Sequence, residues 1–148
     1  MKNSFLLILS VSVLILCATG CGDKISVHGK VTFSDGKPLD IGSVIFQGNG
    51  VVSRGLIQSD GTFRISTLKA NDGVAPGNYK VYISGAVRGE ADPNAKHDPD
   101  GGTSDEKIIP LIDVRFANPD TSELVCEVKR GMKLPQEIKV DYPTNQGQ

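Results

Sequence analysis

The chain has 148 residues, 16 Lys and Arg against 17 Asp and Glu, two His and three Cys, for a net charge of −1 at pH 7. That balance argues against nucleic acid as a partner and against a purely electrostatic hold on a membrane. A chain of this size buries roughly two-thirds of its surface on folding, so it needs no disulfide staples.

Met1-Lys2-Asn3-Ser4 carries one positive charge and leads into the apolar run "FLLILSVSVLIL", Phe5 to Leu16. Small residues follow, Ala18-Thr19-Gly20, and then Cys21. A basic start, an apolar stretch and small residues at the cut describe a secretory signal peptide over 1–20. The run is shorter than the roughly 20 apolar residues of a membrane span, which leaves an uncleaved anchor as the alternative. "ATGC" resembles a bacterial lipobox, although Ala18 stands where Leu is more usual. The resemblance implies that Cys21 is lipidated and becomes the mature N-terminus, with 21–24 as a short tether and Cys17 lost with the leader. The protein is then expected in the bacterial cell envelope as an extracytoplasmic, membrane-anchored lipoprotein. The competing reading of Cys17 and Cys21 as a metal or redox pair lacks a supporting His or Cys cluster. Two or more acyl chains anchor stably where one does not.

From Ile25 the apolar period is two. Ile25, Val27, Val31 and Phe33 share one face, and Ser26, His28, Lys30 and Thr32 the other. Gly29 interrupts the apolar face, as at a bulge or a close backbone approach. Asp35-Gly36 signals a turn. "SVIFQG" and "VVSRGLIQ" read as the next strands, and "SDG" at 59–61 turns the chain into "TFRIST", with Phe63 and Ile65 inward. "APGN" leads to "YKVYIS", with Tyr79, Val81 and Ile83 on one face and Lys80, Tyr82 and Ser84 on the other. Residues 86–107, rich in Gly, Asp-Pro steps and charge, read as one long loop. "SELVCEVK" and "QEIKVDY" return to the two-residue period, joined by "RGMKLP" as a hairpin loop, and the tail 143–148 reads as flexible. Cys126, alternating with polar neighbours, is expected in the core beside Leu124 and Val128. About seven short strands with regular turns predict an all-β, Greek-key β-sandwich over 25–142.

"VHGKVTFSDGKPLDIGSVIF", "SDGTFRI" and "PGNYKV" resemble the carboxypeptidase regulatory-like domain, a sandwich of the transthyretin or prealbumin-like type. The matching positions are Val27, Gly29, Val31, Asp35, Gly36, Pro38, Leu39, Asp60, Gly61, Phe63, Pro76, Gly77 and Tyr79. The later stretch "IIPLIDVRFANPDTSELVCEVKRG" resembles the end of many small bacterial lipoproteins built on this domain. The resemblance implies a non-catalytic interaction or structural module, without a cofactor.

Three chemistries compete with that expectation. "HDPDGGTSDE" gathers His97, Asp98, Asp100, Asp105 and Glu106, a candidate ligand loop for Ca²⁺, although its spacing fails the EF-hand pattern, which puts Thr103 where Gly is required. Glycan binding wants exposed aromatics, and Tyr82 is the outward candidate on the alternation. A hydroxyisourate-hydrolase-like enzyme is a distant third, because the transthyretin-like hydrolases end in a Tyr-Arg-Gly-Ser signature that "KVDYPTNQGQ" lacks. No G-x-S-x-G elbow is present. We therefore expect no catalytic residues and no bound metal, with an envelope protein or glycan as partner beyond the membrane.

Overall fold

A computed structural model describes residues 23–91 and 106–144. The two-residue period becomes nine strands: β1 His28–Phe33, β2 Ser43–Gly48, β3 Val51–Leu56, β4 Thr62–Arg64, β5 Gly77–Ser84, β6 Val87–Ala91, β7 Glu106–Pro110, β8 Leu124–Val128 and β9 Gln136–Val140. Seven of them form two sheets, β4-β1-β9 and β3-β2-β5-β8, and β6 pairs with β7 alone. The only helical segment among the described residues is one 3-10 turn, Val114–Ala117.

The sheets bury one face each, because every second side chain along a strand points the same way. Val27, Val31, Phe63 and Ile65 from one side meet Val44, Phe46, Tyr79, Val81 and Ile83 from the other in one cluster, with Cys126, Val128, Ile138 and Val140 closing it. The expected core is thus observed, with Leu124 only half-buried at its margin. Gly29 lies on the inner face opposite Phe63. A Cβ there would stand 2.1 Å from the Gln136 carbonyl oxygen and 2.7 Å from the Phe63 ring. Of the two readings of Gly29, close approach is the observed one.

Turn chemistry acts where it was expected. Gly36 N–H donates to the Phe33 carbonyl (2.9 Å), and Asp35 accepts from the Lys37 N–H (3.1 Å). Asp60 accepts from the N–H and hydroxyl of Thr62 (2.9 and 2.6 Å). Gly61 takes the positive φ of 83° that this turn requires.

Three expectations are corrected. Residues 86–107 are not one loop: Ala86 is buried in the core, and β6 and β7 form an antiparallel ladder from Val87↔Pro110 to Ala91↔Glu106. Its composition concealed the ladder, since its side chains are mostly exposed and lack a buried face to impose alternation. "RGMKLP" is not a hairpin loop, because β8 and β9 lie in different sheets and β9 pairs in parallel with β1. Periodicity reports which face a residue takes and not which strand lies beside it. The tail is partly held: Thr144 donates its hydroxyl to Asp113.

The sandwich has two distinct ends. Ile25 and Val74 exchange backbone hydrogen bonds (2.7 and 2.9 Å) where the chain enters, and β5 starts three residues later. Arg130, after β8, pairs with Asp23 at this same end. β5 runs away from it, so the β6–β7 hairpin leaves from the opposite end.

Candidate functional site

Cys21, His97, Asp98, Asp100 and Asp105 lie outside the described residues, and Glu106 opens β7. No cluster of three or more metal-ligating side chains occurs among the described residues. Tyr82 is half-buried, not fully outward: it pairs across the strands with Ile45, which is 2% exposed although it too points away from the core. The more exposed aromatic is Tyr142 at 44%. One face of its ring stacks on Phe33 at 4.0 Å and 2°, and its hydroxyl donates to Asp35 (3.0 Å). Burial and the Asp35 carboxylate push the Tyr142 phenol up. It escaped the sequence reading because it follows the last strand, where alternation no longer reports its facing.

Cys126 is buried, with its thiol 3.8 Å from the Gln136 side-chain oxygen. Burial raises its pKa, which is the opposite of what a nucleophilic thiol needs. Ser53 and Ser122, the buried polar residues, serve the fold. Ser53 bonds Thr67 (2.9 Å), and Ser122 donates to the Val81 carbonyl (2.6 Å).

His28 is less solvated than its place on the polar face of the first strand suggests. It is half-buried on the outer face of β1, and its Nδ1 is a buried atom without a hydrogen-bond partner among the described residues. It lines a cleft of about 820 Å³ formed where β3 folds toward β4 and the 66–71 segment closes one side. Lys30, Arg54, Arg64 and Lys69 line the same cleft, and among the described residues no carboxylate does. Arg64 pairs with His28 across the strands and donates to the Ser26 hydroxyl (3.0 Å). Thr62, Ser66, Thr67 and Asn71 add polar groups along the wall.

The charges are unevenly compensated. Lys30 stands beside Glu137 in the β1–β9 ladder and acts on Asp60, whose carboxyl is held low first by its Thr62 hydrogen bonds. Arg54, Arg64 and Lys69 form no ion pair among the described residues, and of these Arg64 and Lys69 lie toward the entry end.

One carboxylate shapes the entry end. Asp72 accepts from the N–H groups of Thr67, Leu68 and Lys69 (2.7, 3.0 and 3.1 Å) and from the Lys24 ammonium (2.5 Å). The Lys24 hydrogen bond and then the Thr67 N–H hold its carboxyl well below the usual carboxylate range. Thr67 also donates to the Gly73 carbonyl (2.6 Å), and Asn71 N–H to Ser66 (2.9 Å). The segment is thereby fixed with Leu68 pointing out, 84% exposed, beside Lys69. The cleft draws on four separate stretches of chain, so no local motif announces it.

Compared with protein-family models, curated proteins and solved structures, the chain finds no match.

Proposed function

We propose that this protein is a lipid-anchored β-sandwich of the bacterial cell envelope that acts as a non-catalytic interaction or structural module. The observation that carries the reading is the polarity of the sandwich. The chain enters at Asp23–Lys24, two residues beyond Cys21, and the β6–β7 hairpin projects from the opposite end. An anchor at Cys21 leaves that far end free to meet a partner. The carboxypeptidase regulatory-like resemblance points the same way. Its motif positions do structural work here: the Asp35-Gly36 and Asp60-Gly61 turns, Gly29 facing Phe63, and Tyr79 donating to the Ala75 carbonyl (2.9 Å).

Replacing Cys21 with Ala and fractionating cells tests the anchor. The expected outcome is loss of the mature lipidated form. A parent protein that itself keeps residues 1–20 and carries no lipid makes the apolar run an uncleaved anchor instead.

A second reading is ligand binding through residues 86–107, favoured by β6, which follows β5 at the end of the sandwich opposite Lys24. Ca²⁺ and glycans are its candidate ligands. Millimolar Ca²⁺ is expected to leave the melting temperature unchanged. A rise abolished by Asp98→Asn with Asp100→Asn promotes the second reading over the first.

A further inference from the structure

We infer that the entry end of the sandwich docks on the membrane, with Leu68 entering the lipid interface and the cleft of Arg54, Arg64, Lys69 and His28 receiving an anionic phospholipid headgroup. The inference rests on the anchor reading above and goes beyond it, because a tether alone requires no contact between domain and lipid.

Chain length supplies the first argument. Two residues, Gly22 and Asp23, separate Cys21 from Lys24, and the three steps reach at most about 11 Å when fully extended. Lys24 is held to Asp72, and Asp72 holds the N–H groups of Thr67, Leu68 and Lys69. A lipid on Cys21 therefore brings Leu68 and Lys69 to the bilayer surface with little freedom to leave it. A single exposed leucine is ordinary on a protein surface. One fixed at a turn beside a lipid tether is placed to add buried apolar area to the anchor.

Charge complementarity supplies the second. Two cations of the cleft that form no ion pair among the described residues lie toward this same end: Arg64 stands opposite His28 at the start of β1, and Lys69 gives its N–H to the Asp72 that Lys24 holds. The net sign of the whole chain is irrelevant here, since attraction to an anionic surface acts within about a Debye length. Arginine offers a planar fork of donors suited to phosphate oxygens. His28 contributes a buried ring nitrogen that has no partner within the described residues.

The chain contains no Trp, so a single introduced one reports its own surroundings. Full-length protein purified from membranes is reconstituted into vesicles of phosphatidylcholine alone or of an equal mixture with phosphatidylglycerol, each made with brominated acyl chains. Leu68→Trp is expected to show blue-shifted, quenched emission in the mixed vesicles. Leu56→Trp, at an exposed cleft position at the far end of β3, is expected to stay unquenched. Adding Arg64→Glu and Lys69→Glu to Leu68→Trp is expected to abolish the quenching while the protein still floats with the vesicles. Flotation reports the anchor and quenching reports the docking. A Leu68→Trp protein that floats with its indole unquenched overturns the docking and leaves the anchor standing. Quenching that is equal in both vesicle types and indifferent to the charge reversals overturns the headgroup contact. Protein that fails to float overturns the anchor and, with it, the docking.

Discussion

Gly29→Ala is the sharpest test of the packing between the sheets. The added Cβ would lie 2.1 Å from the Gln136 carbonyl oxygen, 2.7 Å from the Phe63 ring tip and 2.9 Å from the Gln136 carbonyl carbon. Ordinary contact begins at 3.4 Å, so the carbonyl must retreat by more than an ångström. The Phe63 ring can turn. The carbonyl belongs to the first register pair of the β1–β9 ladder, Gly29↔Gln136, and cannot move without loosening it. Overpacking of a core costs about 1–3 kcal/mol, and a weakened ladder hydrogen bond adds about 0.5–1.5 kcal/mol. We expect a loss of about 2–4 kcal/mol, a large share of the roughly 5–15 kcal/mol that holds a domain together. Urea unfolding measures it as a lower midpoint at unchanged slope. Phe63→Ala should cost about 3–5 kcal/mol through its cavity. The double variant should cost less than the sum, because removing the ring relieves one of the two clashes. A Gly29→Ala cost below about 0.5 kcal/mol, the range of a surface change, would refute the close approach and the strand pairing that creates it.

Ser122→Ala should destabilise by about 1–3 kcal/mol in the same urea assay, since it removes a buried donor from the Val81 carbonyl. Cys126 should resist alkylation in the native protein at mildly alkaline pH and react once urea unfolds it; rapid native labelling would contradict its burial. The Asp72 carboxyl is depressed in the fold, so its contribution is present above its unfolded value near 3.8 and is lost as pH falls from there through the lower folded value. Thermal melts should therefore fall less steeply with acid in Asp72→Asn than in the parent, and parallel profiles would show that the carboxylate is not held by Lys24 and the 67–69 N–H groups.

The sandwich core was legible because burial imposes its period on the sequence. Val27, Val31, Phe63, Ile65, Tyr79 and Val81 alternate with polar residues for the one reason that a sheet has two faces, and the same residues fill the core. Pairing was not legible. β9 follows β8 after a short connection, yet it crosses to the other sheet and lies parallel to β1. That choice is made by the closure of the core around Ile138 and Val140, a property of the assembled sheets. The β6–β7 ladder failed to register for the complementary reason. Val87 and Ile108 are exposed, at 39% and 67%, so no hydrophobic face marks the hairpin.

The cleft was illegible for a reason that also bears on its role. His28 and Arg64 read as routine polar positions on two strands and Arg54 as another on a third, while Lys69 falls between two strands. They become one surface only because β4 pairs antiparallel with β1 while the Arg54↔Ser66 bridge draws β3 against the chain leaving β4. Together, in a cleft that no carboxylate lines among the described residues, Arg54, Arg64 and Lys69 raise the local potential on a chain whose net charge is −1. A near-neutral total thus argues against electrostatic attachment of the chain as a whole, but it does not describe an end face. Two weak contacts, a tether and a surface, add as an intramolecular event once the first is made. The cations of this end therefore need not bind lipid on their own to hold the domain against it, which is why the charge reversals are expected to change the depth of the indole introduced by Leu68→Trp and not whether the protein floats.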